Sequence, residues 1–223
     1  KAVIVLSRHH QKYFTRWGWN CGVRVIPNMA REPARLIERA PSGDMRGSFV
    51  LAVGRLDRCK GFYQLLDLFK QVNESHPEWS MVIVGDGQEA NGLKAYAHSL
   101  QIDDAVQFTG AVKDVSLYYQ RAQLFISLST VEGFPMAVIE AMTFGLTVLV
   151  NSYSPAVKEI IDHGKNGFVV DRDNHDQLFK VTNMLIQDSM LRRRVGDQAR
   201  TIIQRFSETD VINQWKSLIR EVA

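Results

Sequence analysis

Residues 124–151, LFISLSTVEGFPMAVIEAMTFGLTVLVN, decide the fold. The apolar run 124–129 leads into a turn that carries Gly133 and Pro135. Residues 136–145 then have the make-up of a helix, and 146–151 are again apolar and strand-like. Strand, turn, helix and strand form the repeating unit of a parallel sheet, whose strands need a crossover to run the same way. This unit carries two acids with seven residues between them. Glu132 sits in the turn, and Glu140 lies on the helix that the turn opens. Carboxylates accept hydrogen bonds from vicinal hydroxyls, and charge-assisted bonds of that kind contribute roughly 1.5–3 kcal/mol each. The helix start after Pro135 adds free backbone N–H groups, which suit a polar or anionic ligand.

The same rhythm extends in both directions. Strand-like runs occupy 48–54, 80–85, 105–110 and 167–171, and helical patterns occupy 61–75, 91–101, 115–122, 154–164, 176–187, 189–206 and 209–222. Alternating apolar strands and amphipathic helices predict an α/β fold, a doubly wound parallel sheet of Rossmann-like type. Its strands are apolar throughout, as expected when both faces are covered. Ahead of it lie a strand at 2–7, a helix at 9–17 and a strand at 23–28. Residues 29–47 (MAREPARLIERAPSGDMRG) read as a connector and place a domain boundary there. Two units are therefore expected, 1–47 and 48–223. The chain opens on Lys1 and runs straight into an apolar strand, which suggests a piece of a longer chain.

In open sheets of this class, ligands lie beyond the carboxyl ends of the strands. The unusual residues fall there: Arg55 and Lys60 after the first strand of the main unit, Gly85, Asp86 and Gly87 after the second, Gly110 after the third and Glu132 after the fourth. In VLAVGRLDRCKGF, Gly54 ends the strand, and two cations follow at the mouth of the sheet. An Arg fork and a Lys point charge suit a pyrophosphate, although a basic loop by itself is more often just solvated. In VIVGDGQEANG, Gly85, Gly87 and Ala90 match the dinucleotide fingerprint G-x-G-x-x-G/A, with Asp103 and Asp104 near the ribose-acid spacing. That fingerprint belongs to the first strand–helix turn of its fold, and a complete unit precedes this one. Small residues that permit a tight turn are the better reading. Taken singly, Glu132 could serve the helix start and Glu140 could be an exposed helix acid. A hydrolase pair would require both to face one bond. A turn and a helix more naturally carry them to two parts of an elongated ligand.

Composition narrows the function further. The chain is 45% hydrophobic and 23% charged, with a net charge of +3, and its cations are interspersed with acids. Nucleic-acid binding is not needed to explain this. Arg192, Arg193 and Arg194 form the one basic cluster. It reads as a solvated helix face, with phosphate or an anionic membrane as the other use. Cys21 and Cys59 are too few for a disulfide framework or a zinc site and fit a reducing compartment. No signal peptide or membrane-length apolar run is visible. His9 and His10 suggest no metal site, and Trp17, Trp19, Trp79 and Trp215 read as packing residues. Asp162, His163 and Gly164 read as a helix end and turn.

Five blocks occur in order: VGRLDRCKGFYQLLDLF, VIVGDGQE, VQFTGAVKDV, STVEGFPMAVIEAMTFGLTVLV and VKEIIDHGKNGFVV. Together they resemble the C-terminal, donor-binding half of a GT-B-fold glycosyltransferase of family 4 (glycosyl transferases group 1), from about Phe49 to Asp171. Residues 1–28 are similar to the end of that family's N-terminal domain. The resemblance implies a retaining hexosyltransferase that moves a sugar from a nucleotide-diphosphate sugar to a glycan or lipid-linked acceptor. Surface polysaccharide or lipopolysaccharide synthesis in the bacterial cytoplasm, with peripheral contact at the inner face of the plasma membrane, is the implied setting. It also implies roles. Arg55 and Lys60 would hold the diphosphate, Glu132 would face the sugar, and Glu140 would take the ribose hydroxyls. The main chain at Gly133, Phe134 and Met136 would meet sugar or phosphate. Gly54 and Gly85 would border the donor, and Val112 would border the base. No metal and no cofactor are implied. The acceptor site and the glycine-rich loop of the family's N-terminal domain are missing, so this chain alone is expected to transfer little. Glu208 follows Phe206-Ser207 where the family often has Trp. A binding module without catalysis and a dinucleotide-dependent oxidoreductase are the rival readings.

Overall fold

The computed structural model of the chain describes residues 2–17, 22–31 and 48–222. Beyond Arg31 the expected connector lies outside these residues, as do Trp19 and Cys21. The N-terminal unit holds two parallel strands, β1 (Ala2–Val5) and β2 (Gly22–Val25), joined through helix α1 (Arg8–Arg16). Ser7 starts α1 by accepting the His10 N–H on its hydroxyl at 3.2 Å.

The main unit begins at β3 (Ser48–Val53) and continues through α2 (Phe62–Ser75), β4 (Trp79–Val84), α3 (Ala90–Ser99), β5 (Val106–Phe108) and α4 (Ser116–Arg121). It then passes through β6 (Leu124–Ser127), α5 (Met136–Thr143), β7 (Val148–Asn151) and β8 (Phe168–Val170). Helices α6 (His175–Gln187), α7 (Ser189–Ala199), α8 (Ile202–Arg205) and α9 (Glu208–Val222) follow. All pairings in the six-stranded sheet are parallel, and its order is β5-β4-β3-β6-β7-β8. The chain winds outward from β3 to β5 and returns to β6 beside β3. The topological switch point therefore lies between β3 and β6, where such sheets open a crevice for ligands.

Alternation along each strand separates two cores. On β3, Val50 and Ala52 join a cluster with α2, α3, α6 and α7, while Phe49 and Leu51 join a second with α4, α5 and α8. On β7, Leu149 faces the first cluster, and Val148 and Val150 face the second. Burial on both faces explains why these strands are apolar without interruption. In α2, Phe62, Leu65, Leu66, Phe69 and Val72 recur at helical spacing and fill the first core. The N-terminal unit is tied on by α9, whose Val211 and Leu218 pack with Ile26. A second tie is Glu159, whose carboxylate accepts the Arg8 and His9 N–H groups at 3.0 and 2.8 Å.

Three local expectations are corrected. Residues 154–164 form a 3₁₀ turn at Pro155–Glu159, not a full helix. Asn166 accepts the Asp162 N–H at 2.8 Å and donates to the Ile160 carbonyl at 3.3 Å, so a side chain takes up groups that a helix would have used. The helix expected over 189–206 breaks between α7 and α8. There the Thr201 hydroxyl donates to the Gln198 carbonyl at 2.7 Å, a local bond that competes with helix geometry. Of the tryptophans read as packing residues, Trp79 is 5% exposed, whereas Trp17 and Trp215 are 65% and 42% exposed because they lie on the outer faces of their segments.

The arginine triplet divides too. Arg193 and Arg194 are exposed, but Arg192 donates to the Ile186 carbonyl at 2.7 Å and lies 5.1 Å over the Trp79 ring. Burial lowers its pKa, with Asp188 opposing that shift. No described helix is long and apolar enough to cross a membrane.

Candidate functional site

The loops after β3 and β6 meet across the switch point and are stapled together. Thr130 donates its backbone N–H to the Cys59 carbonyl at 2.7 Å, and its hydroxyl reaches the same oxygen at 3.2 Å. Gly61 makes this approach possible. Its φ is +70°, and a Cβ there would lie 2.0 Å from the Leu128 carbonyl oxygen. Lys60 is thereby carried to the β6 loop. Its Nζ donates to Glu132 Oε1 at 2.6 Å, with both side chains largely withdrawn from solvent. Ser129, 1% exposed, donates its hydroxyl to the same carboxylate oxygen at 2.8 Å. An ammonium has three donors, so Lys60 can hold Glu132 and still offer protons to an anion. Beside them the Tyr153 hydroxyl is buried and has no hydrogen-bond partner among the described residues. Burial and the Glu132 charge both push its pKa up.

Glu140 occupies a different setting. It lies one turn into α5, and its Oε2 accepts from the Tyr119 hydroxyl at 3.1 Å. Burial raises the Glu140 pKa, and the Tyr119 bond and the Arg31 charge oppose that rise. Tyr119 itself is pushed far up by burial and by the Glu140 charge. A cleft of about 300 Å³ opens at Glu140, lined also by Pro27, Asn28, Arg31 and Met136. Val112 and Phe134 both pack against the second core cluster, to which Tyr119 belongs. A second cavity, of about 390 Å³, lies between the N-terminal unit and the turn, among Ser7, Arg8, Gly133, Phe134, Tyr153 and Phe206. At Gly133 a Cβ would meet nothing within 4 Å, so the main chain there is open to a ligand.

The structure thus brings Lys60 and Glu132 into contact and puts Gly133 and Phe134 in the cavity wall. Arg55 is not drawn into that contact: its side chain is 75% exposed and paired with Asp57. Gly54 and Gly85 meet each other. Gly85, at φ +146°, would carry a Cβ 1.9 Å from the Gly54 carbonyl oxygen. A Cβ on Gly87 would lie 2.6 Å from the Leu56 carbonyl oxygen. The fingerprint-like glycines are therefore used up in main-chain packing, and β4 lies one strand away from the switch.

Sequence reasoning missed Ser129, Tyr119 and Tyr153. Ser129 was within reach of it, since Ser127 and Ser129 end an apolar run at strand spacing. Tyr119 and Tyr153 reach the site only through tertiary contacts, and no local pattern marks them.

The class is that of doubly wound α/β proteins with a polar site astride the switch point. The chain belongs to the glycosyl transferases group 1 family, whose pattern it matches over residues 36–202. It is 33% identical over 187 residues to an uncharacterized glycosyltransferase of Haemophilus influenzae, covering 84% of this chain and 53% of that one. It is 27% identical over 221 residues to the amylovoran biosynthesis glycosyltransferase AmsD of Erwinia amylovora, covering 98% of this chain and 62% of that one. The chain therefore spans between half and two-thirds of the length of these relatives. A crystal structure of a mutant of S. aureus TarM, in complex with fondaparinux, alpha-GlcNAc-glycerol and UDP, superposes with a TM-score of 0.87 at 20% identity. That match covers 97% of this chain and 43% of the other. The shared fold is the Rossmann-like domain of GT-B glycosyltransferases.

Proposed function

We propose that this chain is the donor-binding, C-terminal part of a retaining GT-B glycosyltransferase of family 4. The whole enzyme moves a sugar from a nucleotide-diphosphate sugar to a glycan or lipid-linked acceptor in the synthesis of bacterial surface polysaccharide or lipopolysaccharide. In this reading residues 1–47 belong to the acceptor domain and its connector, and 48–223 form the donor domain. The reaction runs in the cytoplasm without a bound metal or cofactor, and the 223-residue chain alone transfers little.

One observation carries the reading: the Lys60–Glu132 pair astride the switch point, 2.6 Å from nitrogen to oxygen. A diphosphate placed at Lys60 brings the attached sugar to Glu132 and the open main chain at Gly133. The nucleoside end then extends toward Glu140 and Val112, which suits ribose hydroxyls and a base. As the glycosidic bond breaks, the sugar becomes oxocarbenium-like and negative charge grows on the leaving phosphate. Lys60, joined by Arg55 once it leaves Asp57, stabilises that charge. The leaving phosphate takes the acceptor's proton, so no side chain here need act as a general base. The names of the relatives agree with this reading: one serves amylovoran biosynthesis, and the TarM mutant holds UDP.

The test is calorimetric titration with UDP, GDP and ADP and their sugars, with NADH as the competitor class. One nucleoside diphosphate should bind, and Lys60→Ala should weaken it. Tight NADH binding that no nucleoside diphosphate displaces would overturn the reading.

A further inference from the structure

We propose that Tyr153 is a positioning residue for Glu132: its hydroxyl takes hold of the carboxylate when a diphosphate draws on Lys60. The inference rests on the donor-site reading above and adds to it a residue that no local pattern marks. Two polar groups beside the turn after β6 are left over in the ligand-free chain. Glu132 Oε1 accepts from both Lys60 Nζ, at 2.6 Å, and the Ser129 hydroxyl, at 2.8 Å, whereas Oε2 accepts from no described residue. The Tyr153 hydroxyl is sealed from solvent and has no partner among the described residues. One group is an acceptor and the other a donor. Tyr153 and Gly133, the residue after Glu132, line the same cavity of about 390 Å³.

A sealed donor without an acceptor is unfavourable, and an apolar ring of the same shape would serve this state as well or better. Its presence points to a second state in which the hydroxyl is satisfied. Burial and the Glu132 charge push the phenol pKa up, so it stays protonated and remains a donor.

The surroundings decide which group moves. Tyr153 donates its N–H to the Asn151 carbonyl at 2.9 Å, directly at the end of β7. Ser154, next to it, accepts the Ala156 N–H at 3.2 Å and starts the 3₁₀ turn at Pro155–Glu159. The Tyr153 ring packs against the second core cluster. Its main chain and ring are thus pinned. Glu132 stands in an irregular turn, and its long side chain can change rotamer, so the carboxylate is the group that travels. Lys60 restrains it. An ammonium shared between a carboxylate and a diphosphate holds each less firmly than it would hold one alone. Glu132 then turns Oε2 to the Tyr153 hydroxyl while Ser129 keeps Oε1. With a neutral donor on each oxygen, the carboxylate is fixed beside the sugar and its charge is less cancelled by the cation. Its field then falls on the oxocarbenium-like centre.

The experiment is a stability cycle on the 223-residue chain without nucleotide, followed by calorimetric titration. Tyr153→Phe alone should leave the melting temperature unchanged or raise it, because the hydroxyl has no partner. Lys60→Ala removes the ammonium and imitates its withdrawal. In that background the hydroxyl is engaged, and Tyr153→Phe should lower the melting temperature by about 2–4 °C. A hydroxyl that only supports the fold would give the same drop in both backgrounds, and that result would overturn the proposal, as would no drop in either. Should Lys60→Ala fail to fold, Lys60→Met takes its place in the same cycle. In the titration, Tyr153→Phe should weaken the nucleoside diphosphate that the parent binds by about three- to tenfold. Equal affinity in the two chains would overturn this inference and leave the donor site standing. A parent chain that binds none of UDP, GDP and ADP would overturn the donor reading and this inference with it.

Discussion

The turn at 129–135 and helix α5 each present one glutamate, and the two are held in opposite ways. Glu132 has a cation at 2.6 Å and a hydroxyl at 2.8 Å, and its loop is stapled to the loop after β3. Glu140 has a neutral phenol at 3.1 Å and is buried enough to raise its pKa. The first carboxylate is gripped by an ammonium and a hydroxyl and stands where two halves of the sheet diverge. The second is charged at a cost, on a rigid helix. In the proposed reading, a carboxylate near the reacting sugar can share a cation with the leaving group. On the same reading, one that takes ribose hydroxyls can wait in a poorly solvated place, where those hydroxyls are worth more to it.

The most severe way to break this contrast is Lys60→Ala. It removes the cation from Glu132 and, in the proposed reading, from the diphosphate as well. In the whole enzyme, turnover should fall about 10²–10³-fold, as when one transition-state donor is removed, and the affinity of this chain for a nucleoside diphosphate should fall less. Steady-state transfer and calorimetry check the two halves. Equal losses in both would mean that Lys60 binds the ground state only. Tyr119→Phe acts on the other side of the contrast. Without the phenol, the half-buried Glu140 carboxylate loses its donor, which should cost about 1 kcal/mol. A urea midpoint that drops at constant slope reports it. An unchanged midpoint would mean that solvent already satisfies Glu140.

Much of this was legible in the sequence. Parallel strands buried on both faces must be apolar throughout, so β3, β4, β6 and β7 announce themselves. The Gly-Pro turn and the acids around it mark the rim of the sheet. Strand order is another matter, because nothing local says that β6 returns beside β3. For that reason the pairing of Lys60 with Glu132 appeared only as convergence on one rim, and Ser129 as one more polar residue in an apolar run. The glycines after β4 show that position in the fold outweighs spacing, since their place behind a complete unit already favoured a tight turn. They fit a phosphate-binding pattern, yet they serve contacts with Gly54 and Leu56. The 3₁₀ turn at Pro155–Glu159 escaped for a similar reason. The side chain that ends it, Asn166, accepts its bond from Asp162 across a loop whose apolar spacing looked helical.

Ser129→Ala sharpens the contrast on the Glu132 side. The hydroxyl is buried and aims Oε1, so its loss should cost roughly 1 kcal/mol, or about fivefold in the transfer rate of the whole enzyme. The melting temperature should move little, because Lys60 still neutralises the carboxylate. A large drop in melting temperature with unchanged turnover would assign Ser129 to the core and not to the positioning of Glu132.

Glu140→Gln has the smallest effect and the most specific pH dependence. Glu140 is held above the ordinary unfolded value of about 4.3, chiefly by burial. The folded state therefore holds the proton more firmly than the unfolded state. The stabilisation from that proton is fully present below the unfolded value and is lost as pH rises through the folded one. Glutamine stays neutral at every pH and can still accept from Tyr119. The variant should match the parent near pH 4 and exceed it at pH 7, by less than about 1 kcal/mol once solvent screening is allowed for. Urea midpoints at the two pH values measure this. The same variant should bind the nucleoside diphosphate more weakly, since an amide oxygen is a poorer acceptor for ribose hydroxyls than a carboxylate. Gain in stability with loss of affinity is the pattern of a residue kept for its ligand. A variant less stable at pH 7 would place Glu140 among the charges the fold depends on, beside Glu132, and erase the difference between them.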